Sequence, residues 1–119
     1  MAAGKLNLTI EQGSTFTRLL TIKSGGTPVN LSGYSFAGQV RRKHSDQKKL
    51  AEFTCAVGSP TSNGQVTISL TATQTSAIPF IYDDDGNLEV FYYDIEMTVG
   101  STVDRILEGT VTLSPEVTR

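Results

Sequence analysis

"SGGTPVNLSGYSF", residues 24–36, packs three glycines, a proline, an asparagine and three serines into thirteen positions. Two readings compete for it. A phosphate-binding loop needs glycines that lead into a helix N-terminus, with a lysine or a ribose-binding acid at set spacing. A chain of corners between strands needs only residues that tolerate sharp backbone reversal. Before the stretch, Phe16, Leu20 and Ile22 share one parity, broken by Arg18; after it, Tyr34, Phe36 and Val40 share another. Both flanks read as strands, no helix follows, and no G-x-x-x-x-G-K-[ST] is present. Gly25-Gly26 therefore reads as a hairpin turn, Pro28 as an edge residue and Leu31 as the apolar anchor of the connection. Ser32-Gly33 turns the chain into the next strand.

The same period of two runs through the chain. Leu6, Leu8 and Ile10 alternate with Asn7 and Thr9. Ala51, Phe53, Cys55 and Val57 alternate with Glu52, Thr54 and Ala56, and Val66, Ile68 and Leu70 with Thr67 and Ser69. Phe91, Tyr93, Ile95, Met97 and Val99 alternate with Tyr92, Asp94, Glu96 and Thr98. Such alternation marks half-buried strands. Turn signals separate them at Gln12-Gly13, Gly58-Ser59-Pro60, Ser62-Asn63-Gly64, Asp85-Gly86 and Gly100-Ser101. The expected fold is all-β: one antiparallel β-sandwich of immunoglobulin-like size over residues 1–119, with roughly seven or eight strands. In "LTATQTSAIP", residues 70–79, Thr71 and Gln74 have capping-box spacing and Pro79 stops a helix, so one helical turn is expected there, with an irregular loop as the alternative.

The hairpin around Gly100-Ser101 has two candidate registers. A two-residue turn sets Val99 opposite Thr102 and leaves Val103 and Leu107 on the face of Thr98 and Asp94. A three-residue turn gathers Val99, Met97, Ile95, Val103 and Leu107 on one face. The second buries more apolar area and is the expected register. It also places Arg105 on that apolar face unless a bulge near Arg105-Ile106 turns it outward.

Composition narrows the function. The chain has 119 residues, 38% hydrophobic and 18% charged, with net charge −2. This is one ordinary folded domain with no general attraction to nucleic acid or anionic membrane. No apolar run is long enough for a membrane-spanning helix, and the N-terminus lacks the pattern of a secretory signal, so synthesis in a cytoplasm is expected. The lone cysteine, Cys55, cannot form an internal disulfide and alternates with core residues.

Three clusters stand out. "RRKHSDQKK", residues 41–49, holds Arg41, Arg42, Lys43, Lys48 and Lys49 around the only histidine, His44. It reads as an exposed hairpin tip or as a basic contact for an acidic partner face. "DDDGNLE", residues 83–89, spaces Asp83, Asp85, Asn87 and Glu89 like calcium ligands, but Gly86 follows the second ligand instead of the third and no helices flank it. An acidic surface turn is the plainer reading, and no cofactor is expected. Tyr82 and Tyr92 are dense around this turn, and parity sets Tyr92 opposite in facing to Phe91 and Tyr93. One histidine, one cysteine and no paired-carboxylate motif leave no catalytic constellation, so the expectation is not an enzyme.

"LTIEQGSTFTRLLTIKSGGTPVNLSGYSFAGQVRRK", residues 8–43, resembles the N-terminal β-sandwich of bacteriophage virion proteins, notably upper baseplate proteins that anchor receptor-binding proteins. The shared order is a strand, Gln12-Gly13-Ser14, a strand, a glycine turn, Pro28 to Tyr34, and a strand ending in basic residues. "YYDIEMT" and "RILEGTVTLSPEVTR" look like the closing hairpin of small phage structural proteins. The resemblance implies a virion-located, multimeric protein that joins neighbouring virion proteins in the baseplate, tail or fibre attachment. It carries over no catalytic residue. The candidate contacts, read from charge and from aromatic parity, are Arg41, Arg42, Lys43, Lys48, Lys49, Tyr82 and Tyr92. Capsid decoration or a neck role is the alternative within this class. A carbohydrate-binding module using Tyr82, Tyr92 and the aspartates is the alternative outside it, with the absence of tryptophan against it.

Overall fold

The computed structural model describes residues 4–43, 48–79, 85–86 and 90–114. In chain order the strands are β1 (Gly4–Lys5), β2 (Leu8–Glu11), β3 (Phe16–Thr21), β4 (Lys23–Ser24), β5 (Thr27–Pro28), β6 (Ser35–Arg41), β7 (Ala51–Val57), β8 (Gln65–Leu70), β9 (Phe91–Val99) and β10 (Thr102–Ser114). A 3-10 turn covers Thr61–Asn63 and a single short helix, α1, covers Ala72–Ser76.

The fold is a β-sandwich made from one folded-over ribbon of strands, in the order β1-β10-β9-β6-β7-β8-β3, with β2 also on β10. Strand β7 makes the fold. Its Ala51–Phe53 half pairs with β6, and its Thr54–Val57 half pairs with β8. One layer is therefore β1/β2-β10-β9-β6-β7, and the other is β7-β8-β3. Pairing is antiparallel except at the N-terminal edge, where β1 and β2 run parallel to β10.

Each layer sends one parity inward. In β9, Phe91, Tyr93, Ile95 and Met97 are buried, and Tyr92, Asp94, Glu96 and Thr98 face out. In β8, Val66, Ile68 and Leu70 are buried. Side chains from both layers join in one core with Leu8, Ile10, Leu20, Val40, Phe53, Val111 and Leu113. Full burial of each of the larger side chains contributes roughly 1.5–3 kcal/mol. At the corner, the Phe53 ring lies 6.1 Å from Phe16 and 6.0 Å, edge-on, from Tyr93.

The opening stretch is a set of corners. Gly25 and Gly26 take positive φ of 58° and 83°, and Lys23 and Ser24 pair with Pro28 and Thr27. Positive φ at both central residues is what a type I′ hairpin requires. Leu31 is buried, and its carbonyl accepts from Tyr34 N–H at 3.1 Å across the Ser32-Gly33 turn.

The expected helical turn is present, with both arms of the Thr71–Gln74 capping box formed. Gln74 Nε2 also donates to the Glu52 carbonyl at 3.0 Å, tying α1 to β7. The Thr75 hydroxyl, fully buried, donates to the Ser14 carbonyl at 2.8 Å and accepts from Gly13 N–H at 3.0 Å. One side chain thus fixes the β2–β3 turn against the helix.

The C-terminal hairpin corrects the expected register. Its turn has two residues, with Thr102 opposite Val99 and Arg105 opposite Glu96. Ile106 then bulges, and Leu107 is set opposite Ile95. Beyond the bulge the pairing is the one a three-residue turn would have given from the start. Gly100, with φ 58° at the first central position, suits a tight two-residue turn. The bulge then brings Ile106 and Leu107 to the apolar side and leaves Arg105 outward, so apolar burial is gained without a longer turn.

Two glycines sit where a side chain does not fit. A Cβ on Gly38 would overlap Ile95 Cδ1 and come within 2.8 Å of the Asp94 carbonyl oxygen and 3.2 Å of Phe53 Cδ2. A Cβ on Gly109 would overlap the Leu6 carbonyl. Tyr93, directly opposite Gly109, passes over it and donates its hydroxyl to that carbonyl at 2.6 Å. Burial pushes the Tyr93 phenol up to about 12, against a smaller downward pull from the Arg18 guanidinium.

Two outcomes follow from this packing. Gly38→Ala destabilises by about 1–3 kcal/mol, because a strand carbonyl and a fully buried Ile must both shift; the check is a lower urea midpoint at unchanged slope. Tyr93 is neutral when buried, and its folded pKa lies above the ordinary value of about 10. Its stabilisation is therefore complete below about pH 10 and is lost as pH rises toward about 12. Tyr93→Phe costs about 0.5–1.5 kcal/mol at neutral pH through the lost hydrogen bond. It also removes this alkaline decline, read by urea unfolding across that range and by loss of the highest-pH step in absorbance at 295 nm.

Candidate functional site

The outer face of the β10-β9-β6 layer brings together two of the described side chains singled out in the sequence, Arg41 and Tyr92. Register sets the residues of this face in rows. Arg41, Tyr92 and Thr110 lie side by side on β6, β9 and β10, then Gln39, Asp94 and Glu108, then Ala37, Glu96 and Arg105. Directly opposed residues of paired strands share a face with Cβ atoms about 4.5–5.5 Å apart. Arg41, the first residue of the basic run, and Tyr92, chosen for its outward parity, are therefore neighbours. Both are half-buried. The Arg41 guanidinium donates to Gln39 Oε1 at 2.6 Å.

Below that pair runs an ionic network. Arg105 meets Asp94 at 3.3 Å and Glu108 at 3.1 Å, and Lys5 also pairs with Glu108. Hydrogen bonds from Lys5 and then Arg105 hold the Glu108 carboxyl below its ordinary range. A shallow depression of about 160 Å³ runs across this face among Gln39, Arg41, Tyr92, Asp94, Arg105 and Glu108. Small-molecule sites usually enclose roughly 300–1,000 Å³, so this geometry suits a surface contact better than an enclosed ligand.

The rest of the basic run divides. Arg42 is half-buried and Lys43 exposed just past β6, while Lys48 and Lys49 are exposed before β7. Lys49 pairs with Glu52, so part of its charge is met within the chain. His44 lies outside the described residues, as does Tyr82. Of the calcium-like run, Asp83, Asn87 and Glu89 lie outside them too. Asp85 is exposed, beside Gly86 with φ 83°, as an Asp-Gly turn requires. Among the described residues, no three His, Cys, Asp or Glu side chains are grouped to hold a metal ion. None of their helices is long and apolar enough to cross a membrane. Cys55 is half-buried against the core, and burial, then the Glu52 charge, pushes its thiol up, away from nucleophile chemistry.

Gln39, Asp94, Arg105, Glu108 and Lys5 complete the face and were not singled out as contact residues, although an outward Arg105 at a bulge was weighed. Asp94 shares Tyr92's parity, which was a usable signal. The others depend on which strands adjoin and in what register, and on the bulge that turns Arg105 outward.

No family model and no curated protein matches the chain. Among solved structures it is similar to the second immunoglobulin domain of the mouse polymeric immunoglobulin receptor. That match has 9% identity and a TM-score of 0.46 and covers 98% of this chain and 100% of that one.

Proposed function

We propose that the chain is a non-enzymatic structural module of a bacteriophage virion that joins neighbouring virion proteins, in the baseplate, tail or fibre attachment. Residues 8–43 carry the resemblance that suggests this class. The observation that carries the contact is the Arg41–Tyr92 pair, set side by side on adjacent strands at the foot of the basic run. Arginine and tyrosine are the residue types most concentrated in binding hot spots. Both sit on strands in the middle of a sheet, so little conformational freedom is lost on docking.

The mechanism is a two-part contact. Arg42, Lys43 and Lys48, with Arg41, present positive charge to an acidic face of a neighbouring protein and steer its approach. Tyr92 supplies the flat apolar surface that excludes water once the faces meet. Repetition by virion symmetry multiplies a weak single contact into a stable one.

The test is capture from purified, dissociated virions on the immobilised chain. The triple variant Arg41→Glu, Arg42→Glu, Lys43→Glu reduces capture at least about ten-fold at physiological salt, and Tyr92→Ala reduces it with a smaller change in salt dependence. Capture indifferent to both variants, or a chain absent from purified virions, sinks the proposal.

A further inference from the structure

We infer that β3 is a self-association edge, through which two copies of this chain pair antiparallel about a two-fold axis. This surface is separate from the Arg41–Tyr92 face, and the inference does not depend on the phage reading. Strand β3 ends the strand order: β8 is on one side, and no strand of the described residues is on the other. Ile22, which continues β3, donates its N–H to the Gly64 carbonyl at 2.7 Å, in line with the β3–β8 register. Because backbone groups alternate along a strand, the even-numbered residues of β3 point toward β8. The N–H and C=O groups of Thr17, Leu19 and Thr21 point to the free side.

The side chains that β3, β8 and the Thr54–Val57 half of β7 send outward beside that edge are uncharged. The outer face of this layer reads Thr54, Ser69 and Thr17 in one row, Ala56, Thr67 and Leu19 in the next, then Gln65 and Thr21. Leu19 stands out from it at 57% exposure, the highest of the large apolar side chains described. The opposite layer carries Arg41, Asp94, Glu96, Arg105 and Glu108 on its outer face. In a two-fold contact every residue near the axis meets its own kind, so a charge there would repel its mate. The uncharged layer meets that condition.

Arg18 selects the register. Outward-pointing groups must face each other, so odd residues pair with odd. Centring the axis on Arg18 sets it against Arg18 of the second copy, two like charges directly opposed. Centring on Leu20 leaves Thr17 without an opposite number in the other β3. Centring on Leu19 pairs Leu19 with Leu19, Thr17 with Thr21 and Thr21 with Thr17, and sets Arg18 beside aliphatic Leu20. This register satisfies every outward backbone group of β3 and opposes no like charges. A single edge contact buries less than the roughly 800 Å² per partner of stable complexes, so the isolated dimer is weak, with dissociation in the micromolar range or above.

Sedimentation velocity of the purified chain from about 10 µM to 1 mM tests it, with cysteine variants made in a Cys55→Ala background. A reversible monomer–dimer equilibrium is expected. Leu19→Pro removes an N–H that the β8 ladder does not use, and it weakens the dimer at least about ten-fold. Leu19→Lys leaves the backbone intact, places like charges on the axis, and gives the same result. A hydrogen-bonded antiparallel pair has Cα atoms about 5.5 Å apart, within disulfide reach. Leu19→Cys therefore oxidises to a covalent dimer at least about ten-fold faster than Val103→Cys, equally exposed but on the other layer. A strictly monomeric chain at 1 mM overturns the inference. So does a dimer unaffected by Leu19→Lys, or equal cross-linking at Leu19→Cys and Val103→Cys.

Discussion

Strand β7 belongs to two layers, and the rest of the molecule depends on how it does so. Its first residues pair with β6 and its last with β8. The chain must leave one partner and reach the other between Phe53 and Thr54. A strand that changes layers opens a corner, and something must fill it. Phe53 does, touching Phe16 in one layer and Tyr93 in the other. Its strand neighbour on β6 is Gly38, where a Cβ would collide with Ile95 and the Asp94 carbonyl and also crowd the Phe53 ring. Among the described residues, the β8–β3 pair joins the other layer by hydrogen-bonded strands only through β7. The Gln74 amide on the Glu52 carbonyl holds α1 against β7, and the buried Thr75 hydroxyl ties that helix to the turn entering β3. The corner is fixed from both ends.

What the sequence made legible follows from what is local. Alternation in residues 91–99 places four buried and four outward side chains correctly, because strand facing is a property of adjacent residues. Gly25-Gly26 and the Thr71–Gln74 box were legible because turn and cap chemistry act over two to four residues. Adjacency of strands was not, since β3 reaches β8 across almost half of the chain and β2 reaches β10 across most of it. The hairpin shows the limit most clearly. Its turn obeyed local geometry and took two residues; its far end obeyed burial and took the other register. The bulge near Arg105-Ile106, weighed in the sequence as the way to turn Arg105 outward, is also what lets one strand take both registers. The site behaves alike. Arg41 and Tyr92 were each identifiable, but their contact is a matter of register, as is the company of Asp94, Arg105 and Glu108.

That bulge joins fold to surface. Without it, strict alternation from the outward Arg105 would keep Ile106 inward but put Leu107, Val111 and Leu113 on the outer face. The extra residue keeps Leu107, Val111 and Leu113 on the apolar side with Ile106 and turns Glu108 outward, where Arg105 reaches both it and Asp94. The same residue count that completes the apolar layer therefore builds the ionic row beneath Tyr92. Exposed ion pairs of this kind contribute little stability, about 0–1 kcal/mol each. Their consequence is positional: they hold carboxylates and guanidinium in a fixed mosaic of charge on this face.

Charge is distributed unevenly between the two outer faces, and this separates two kinds of contact. A mosaic of both signs discriminates among unlike partners, because a mismatched charge is costly once water is excluded. A face of threonine, serine, alanine and one leucine discriminates poorly by charge, but it can meet a copy of itself without repulsion. An edge strand beside such a face is ordinarily an aggregation risk that proteins blunt with an inward-pointing charge. Arg18 is that charge. Set one residue from Leu19, it opposes the register in which the two Arg18 side chains would meet and leaves the one centred on Leu19. An edge guarded in this way limits open-ended stacking and still admits a closed pair.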